Sequence, residues 1–428
     1  MSIGISVRSL TKWIKQIGIF GIRQLFVQGL MFASGVIVLR SLSKPDFASF
    51  IFTQTVFSVM SSIADSGLIA ATIAEGGRVW PDGQKLGGVV KAAIQVRSRI
   101  LPVLALLGGI MITCCLRRFG IPVYMSAGIA VIVIVTFVLT AIGNVYGAVV
   151  RLAGRAFRIQ QLEFAYYVQR CIYTLAFFSI FQGTLTAVIA NLFAVLYSVW
   201  QPITWSREFY DERVAPSAEA RRRIYSMMKQ MLPATIYSSF SPQIAILLMS
   251  AIGNASGVAD LGALSRLGQI MAILGSINSS LFIPMLAREK SPSIVRSKLI
   301  GVVAFSSICC GAVLGLAAIF PKGFLFILGP NYYGLPVFVL MLSLFAVALS
   351  TISGIIGGLA NNRGYVIPPV AYITVNVGAQ IALLLLLPVH TLTGVLIYNA
   401  GIAIIGLLLN CGLVWRTMFS KDENITST

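Results

Sequence analysis

The chain has 428 residues, of which 57% are hydrophobic and only 11% charged, whereas soluble domains carry about 25% charged residues. That composition excludes a single soluble domain and reads as an all-α, polytopic membrane protein. The net charge of +19 does not point to nucleic acid, because the basic residues lie mainly between apolar runs, as topology signals do. Gaps, prolines and charge clusters predict about twelve transmembrane helices: 17–39, 47–74, 95–116, 121–150, 163–182, 184–205, 231–253, 257–287, 299–320, 333–358, 365–388 and 392–415. A basic stretch, SIGISVRSLTKWIKQ, precedes the first span without an A-x-A-like cleavage site after it. It reads as a retained, interfacial cytoplasmic segment.

The first span, IGIFGIRQLFVQGLMFASGVIVL, is apolar enough to cross a bilayer yet carries Arg23, Gln24 and Gln28. At 100° per residue these share a face of about 140° with Gln16 and Gly35. An arginine at the centre of a membrane helix costs roughly 2.5–3.5 kcal/mol, so this face is expected to line protein or a wet cavity. The second span contains SVMSSIADSGL, in which Asp65 is the one carboxylate deep in a span. Asp65 reads either as an ion-coupling or proton site, or as a charge-balancing partner of Arg23 or another arginine. In the fifth span Tyr166, Arg170, Tyr173 and Thr174 cluster on one face. An arginine beside tyrosines can meet phosphate or sugar; it can also pack between helices or snorkel.

The largest polar interruption, Ser206–Gln230, divides the chain into 1–205, a cytoplasmic basic linker 206–230, and 231–428, with six spans on each side. Pro242, in the middle of the seventh span, is a candidate hinge or a static kink. The eighth span places Arg266, Gln269, Ser276 and Ser280 on a face of about 80°, and Arg266 is the counterpart of Arg23 in the second half. Span four exits as GAVVRLAGRAF (147–157) and span ten as GIIGGLANNRGY (354–365). With both ends of each half on the same side, the halves read as parallel repeats.

Of the 32 Lys and Arg residues, 24 fall in inner segments, Arg97 among them; five lie outside, namely Arg40, Lys44, Arg117, Arg118 and Lys322. Arg23, Arg170 and Arg266 remain inside spans. The asymmetry predicts both termini in the cytoplasm. The six cysteines have no C-x-x-C spacing and read as packed thiols, and His390 is the sole histidine, which excludes a multi-His metal site. No P-loop, carboxylate pair, Ser/His/Asp set or H-E-x-x-H is present, so no enzyme, cofactor or metal is expected.

The opening span with its exit VLRSLSKPDFASFIF (38–52), ADSGLIAATI (64–73), VADLGALSRLGQIMAILGSINSSLFIPMLA (258–287) and FILGPNYYGLPVFVLMLSLFAV (326–347) resemble the multidrug/oligosaccharidyl-lipid/polysaccharide exporter superfamily. The resemblance is to its polysaccharide transporter branch, the O-antigen-type flippases, and covers nearly the whole chain. It implies two six-helix lobes around a central cavity that opens to one side at a time. It also implies movement of a polyprenyl-diphosphate-linked oligosaccharide from the cytoplasmic to the periplasmic leaflet of a bacterial inner membrane. Membrane lipids, a polysaccharide polymerase and a chain-length regulator are the partners it implies. Twelve spans count against the fourteen-helix lipid II flippase branch, and deep arginines count against a cationic drug. On this reading Arg23, Gln24, Gln28, Arg170, Tyr173, Arg266 and Gln269 are the substrate-binding candidates, with Arg23, Arg266 and Arg170 on the diphosphate. Export of another anionic or amphipathic small molecule is the alternative, ahead of a membrane glycosyltransferase or ligase.

Overall fold

The computed structural model describes residues 25–278, 282–283, 286, 292–361 and 369–415. Among these residues there is no strand. That follows from the apolar solvent, in which a backbone must satisfy its own hydrogen bonds and the helix does so within one segment. In chain order the helices are α1 (Leu25–Ser41), α2 (Lys44–Asp65), α3 (Leu68–Val79), α4 (Gly83–Arg118), α5 (Val123–Leu152), α6 (Ala156–Phe178), α7 (Thr184–Ser206) and α8 (Ala218–Phe240). They continue as α9 (Ile244–Ala251), α10 (Ala255–Ile277), α11 (Pro292–Ile319), α12 (Pro321–Leu328), α13 (Val337–Asn361), α14 (Pro369–Leu386) and α15 (Leu392–Val414). Each predicted span holds helix over its described part, and nine helices among the described residues are long and apolar enough to cross a membrane. The protein is a multi-pass, all-α membrane protein.

The helices depart from the predicted spans where a local signal outweighs hydropathy. The second span is two helices, split at Ser66–Gly67, where Gly67 takes φ 64°. A Cβ there would sit 2.8 Å from Met231 Sδ, so both the left-handed backbone and the close approach of α8 call for glycine. The third span is a 36-residue helix, α4, about 54 Å long at 1.5 Å per residue against a hydrocarbon core of about 30 Å. It starts at Gly83 because the Asp82 side chain accepts from the amides of Gln84 and Lys85, both at 3.1 Å. Helix α8 likewise begins inside the basic stretch 206–230, where Ser217 Oγ accepts from Ala220 N at 3.2 Å with Glu219 in the first turn. The helices run unbroken through Pro102, Pro202 and Pro233. At Pro242 the chain forms a 3₁₀ turn, Ser241–Gln243, between α8 and α9.

The chain packs as two compact units, Ala33–Gly262 and the remainder, with α1 and α10 each passing from one into the other. The first unit holds a core of Leu86, Val89, Val90, Ala93 and Val96 from α4, Val145 and Val149 from α5, and Ile224 and Met228 from α8. Because α8 buries Ile224 and Met228 there, the midpoint at 206–230 falls inside this unit. The second unit packs Val295, Leu299 and Val302 of α11 against Ile355, Ile356 and Leu359 of α13 and Val414 of α15. The dominant helix pair joins the fourth and sixth spans of each half, α5 with α7 and α13 with α15. Small residues permit both approaches: a Cβ on Gly143 would lie 3.1 Å from Val199 Cγ2, and one on Gly357 would lie 3.0 Å from Asn410 Oδ1.

Candidate functional site

In the unit Ala33–Gly262 the deep carboxylate has a partner. Asp65, the last residue of α2, forms an ion pair with Arg97 of α4 and accepts from Asn144 Nδ2 of α5 at 2.9 Å. Arg97 also donates to the carbonyl of Ala64 at 3.2 Å and to that of Ala141. One guanidinium thus balances Asp65, covers a free carbonyl at the end of α2, and ties three helices together. The Arg97 side chain is only 2% exposed, that of Asp65 31%. The charge count places Arg97 among the inner segments, and the structure adds that it lies fourteen residues into α4, facing protein. A signal was there to read, since Val90, Ala93, Arg97 and Leu101 fall at helical spacing on the buried stripe of α4.

Helix α6 carries the second group. Tyr166 donates to Asn191 Oδ1 of α7 at 2.7 Å, which orients the ring across the α6–α7 seam. Tyr173 sits among aromatic rings, 6.2 Å from Phe177 and 5.8 Å from Phe193. Arg170, one turn before Tyr173, is half-buried, and neither a hydrogen bond nor an ion pair joins it to another described residue. The adjacent Gln169 has a buried amide oxygen, Oε1, without a hydrogen-bond donor among the described residues. These polar groups also explain why α6 falls short of a membrane span on hydropathy alone.

The other unit holds Gln28, Arg266 and Gln269. Gln28 Nε2 donates to Ser276 Oγ across 3.3 Å, joining α1 to α10. The amide oxygens of Gln28 and Gln269 are buried and accept no hydrogen bond from another described residue. Arg266 lies three residues before Gln269 on α10 and is partly buried. Gln269 and Ser276 are seven residues apart, so they share a face about 10 Å apart along the helix. Asn278, which the sequence reading did not single out, is 5% exposed and its Oδ1 also has no donor among the described residues; the polar residues Ser276, Asn278, Ser279 and Ser280 inside an apolar span were its only signal. Arg23 and Gln24 lie outside the described residues. Arg170 and Tyr173 belong to the first unit, and Gln28, Arg266 and Gln269 to the second.

No protein-family model matches the chain, and no curated protein matches it. Solved structures do. One described as the lipid II flippase MurJ in an inward closed conformation aligns with a TM-score of 0.75 at 13% identity, covering 93% of this chain and 87% of that one. The inward-facing conformation of a multidrug resistance MATE family transporter of the MOP superfamily aligns at 0.61 and 17% identity, over 91% of this chain and 97% of that one. A MOP superfamily transporter from Pyrococcus furiosus, described as having a binding pocket of reverse polarity, aligns at 0.56 and 15% identity, over 94% and 95% of the two chains. At these identities the likeness is one of fold, and it spans nearly the whole length of each protein. The chain has the fold of the MOP superfamily transporters.

Proposed function

We propose that this protein is a transporter of the MOP superfamily that flips a polyprenyl-diphosphate-linked oligosaccharide, such as an O-antigen or exopolysaccharide repeat unit, from the cytoplasmic to the periplasmic leaflet of a bacterial inner membrane. It works by alternating access of two six-span halves, with both termini cytoplasmic. A polysaccharide polymerase and a chain-length regulator are its partners on this reading. The observation that carries it is Arg170: a half-buried guanidinium in a helix of the membrane domain, with no carboxylate paired to it among the described residues. Asp65 does not neutralise it, being held by Arg97. An arginine kept in such a place despite its cost has a use for its charge, and its planar fork matches a diphosphate. Arg266 and Arg23 supply further positive charge. The amide oxygens of Gln28 and Gln269, without a donor among the described residues, suit sugar hydroxyls, which are donors. Tyr173 offers a ring face to a sugar, Asp65 balances charge, and the 3₁₀ turn at Pro242 is a place for the helix to bend.

The test is binding and flipping of a purified lipid-linked glycan in proteoliposomes by Arg170→Ala and Arg266→Ala variants that insert and fold. A hydrogen-bonded charge contributes about 1.5–3 kcal/mol, so each variant loses roughly tenfold to a hundredfold in affinity, and Arg170→Lys loses less. Wild-type flipping rates in both alanine variants would refute the anion-binding mechanism. Competition by soluble anions as strong as by the glycan would favour a small anionic cargo instead.

A further inference from the structure

Charge counting predicts only five basic residues on the outer side, and the structure gives two of them the same task. Lys44, at the start of α2, forms an ion pair with Asp260 of α10 at 2.7 Å and donates to Ser256 Oγ at 3.5 Å. Ser256 and Asp260 are four residues apart, so they stack on one face and a single ammonium reaches both. Arg118, at the end of α4, donates to the carbonyl of Ala251 at the end of α9. Just beyond the ion pair, Ile51 of α2 packs so closely on α10 that a Cβ at Gly262 would lie 2.5 Å from its Cγ1. The outer ends of two helices from the first half are thus fastened to the α9–α10 turn of the second half, over a tight apolar seam.

The pair is unevenly exposed, Lys44 at 31% and Asp260 at 10%. A carboxylate that deep needs its cation, whereas the lysine, on its long stem, can reach water when it lets go. We infer that Lys44 and Asp260 form a releasable latch on the outer side: closed here, it seals the α2–α10 seam, and it opens when the transport site turns outward. The inference rests on the alternating-access reading above but needs no substrate to be tested.

The seam is reported by Ile51→Cys, 5% exposed here, in full-length protein whose six native cysteines have been replaced. A membrane-impermeant maleimide added to intact cells labels that thiol only when the seam opens outward. With the latch intact, labelling is slow. Lys44→Gln with Asp260→Asn, which keeps shape and removes charge, speeds it about tenfold, the strength of one charged hydrogen bond. The exchanged pair, Lys44→Asp with Asp260→Lys, returns it toward the parent rate. Equal labelling in parent and neutral proteins would overturn the latch, as would an exchanged pair as fast as the neutral one. If the double-neutral protein fails to insert, Lys44→Arg against Lys44→Gln makes the same comparison, with equal rates again refuting it. Seam opening that follows the latch while no glycan is flipped would retire the glycan reading and leave the latch intact.

Discussion

The Asp65–Arg97 pair predicts an asymmetry between its two halves. Asp65→Asn keeps the shape and the hydrogen bond from Asn144 but leaves the Arg97 guanidinium, 2% exposed, without its counter-charge. Breaking a buried pair in this way costs about 3–5 kcal/mol. Arg97→Leu instead leaves Asp65 alone with its 31% exposure and its bond to Asn144 at 2.9 Å. Water can solvate that carboxylate, so the cost is nearer 1–3 kcal/mol. The double variant removes both charges and lies closer to wild type than Asp65→Asn does, because no charge is left buried. Thermal unfolding in detergent, followed by fluorescence-detected size exclusion, ranks the four proteins. The reasoning is wrong if Arg97→Leu is the less stable single variant, or if the double variant shows the sum of both losses. A stable but transport-dead Asp65→Asn protein would return Asp65 to ion coupling.

Two further outcomes follow from local geometry. Gly67→Ala should destabilise the protein by about 1–2 kcal/mol through its left-handed backbone, and Met231→Ala in the same chain should relieve only the added clash, not the backbone cost; the same unfolding assay reads both. Tyr210, in the loop between α7 and α8, is 8% exposed, and burial, then the neighbouring Tyr146 and Glu212, push its hydroxyl above the ordinary tyrosine value of 10.0. A raised value means that the folded state holds its proton more tightly, so this stability is complete below about pH 10 and falls as pH rises further. Tyr210→Phe should flatten that alkaline decline in the unfolding midpoint, and an unchanged slope would count against the burial of the hydroxyl.

The candidate site was partly legible. The face bearing Gln28 could be read from 100° periodicity, and α10 supplies that glutamine with Ser276, one of the residues on the Arg266 face. The aromatic and arginine face of α6 was equally plain, although the sequence could not show that Tyr166 engages Asn191 or that Tyr173 packs on Phe193. Charge counting treats each arginine near the end of an apolar run as a loop marker, so it could not show that Arg97 is buried among helices. Its burial depends on two helices that meet it from 32 and 44 residues away along the chain.

By itself the sequence determined that this chain crosses a membrane many times as helices, roughly where, and which spans carry charge. Those are local properties: transfer of a run of side chains into hydrocarbon, and helical periodicity within it. Tertiary structure alone decided which charge meets which. The partners Asp65 and Arg97, Lys44 and Asp260, and Gln28 and Ser276 lie 32 to 248 residues apart, and no local preference encodes such distances. It also decided where the helices stop. Asp82 and Ser217 cap them beyond the apolar runs, and Gly67 breaks one within a run, because backbone hydrogen bonds and close packing, rather than hydropathy, set a helix end.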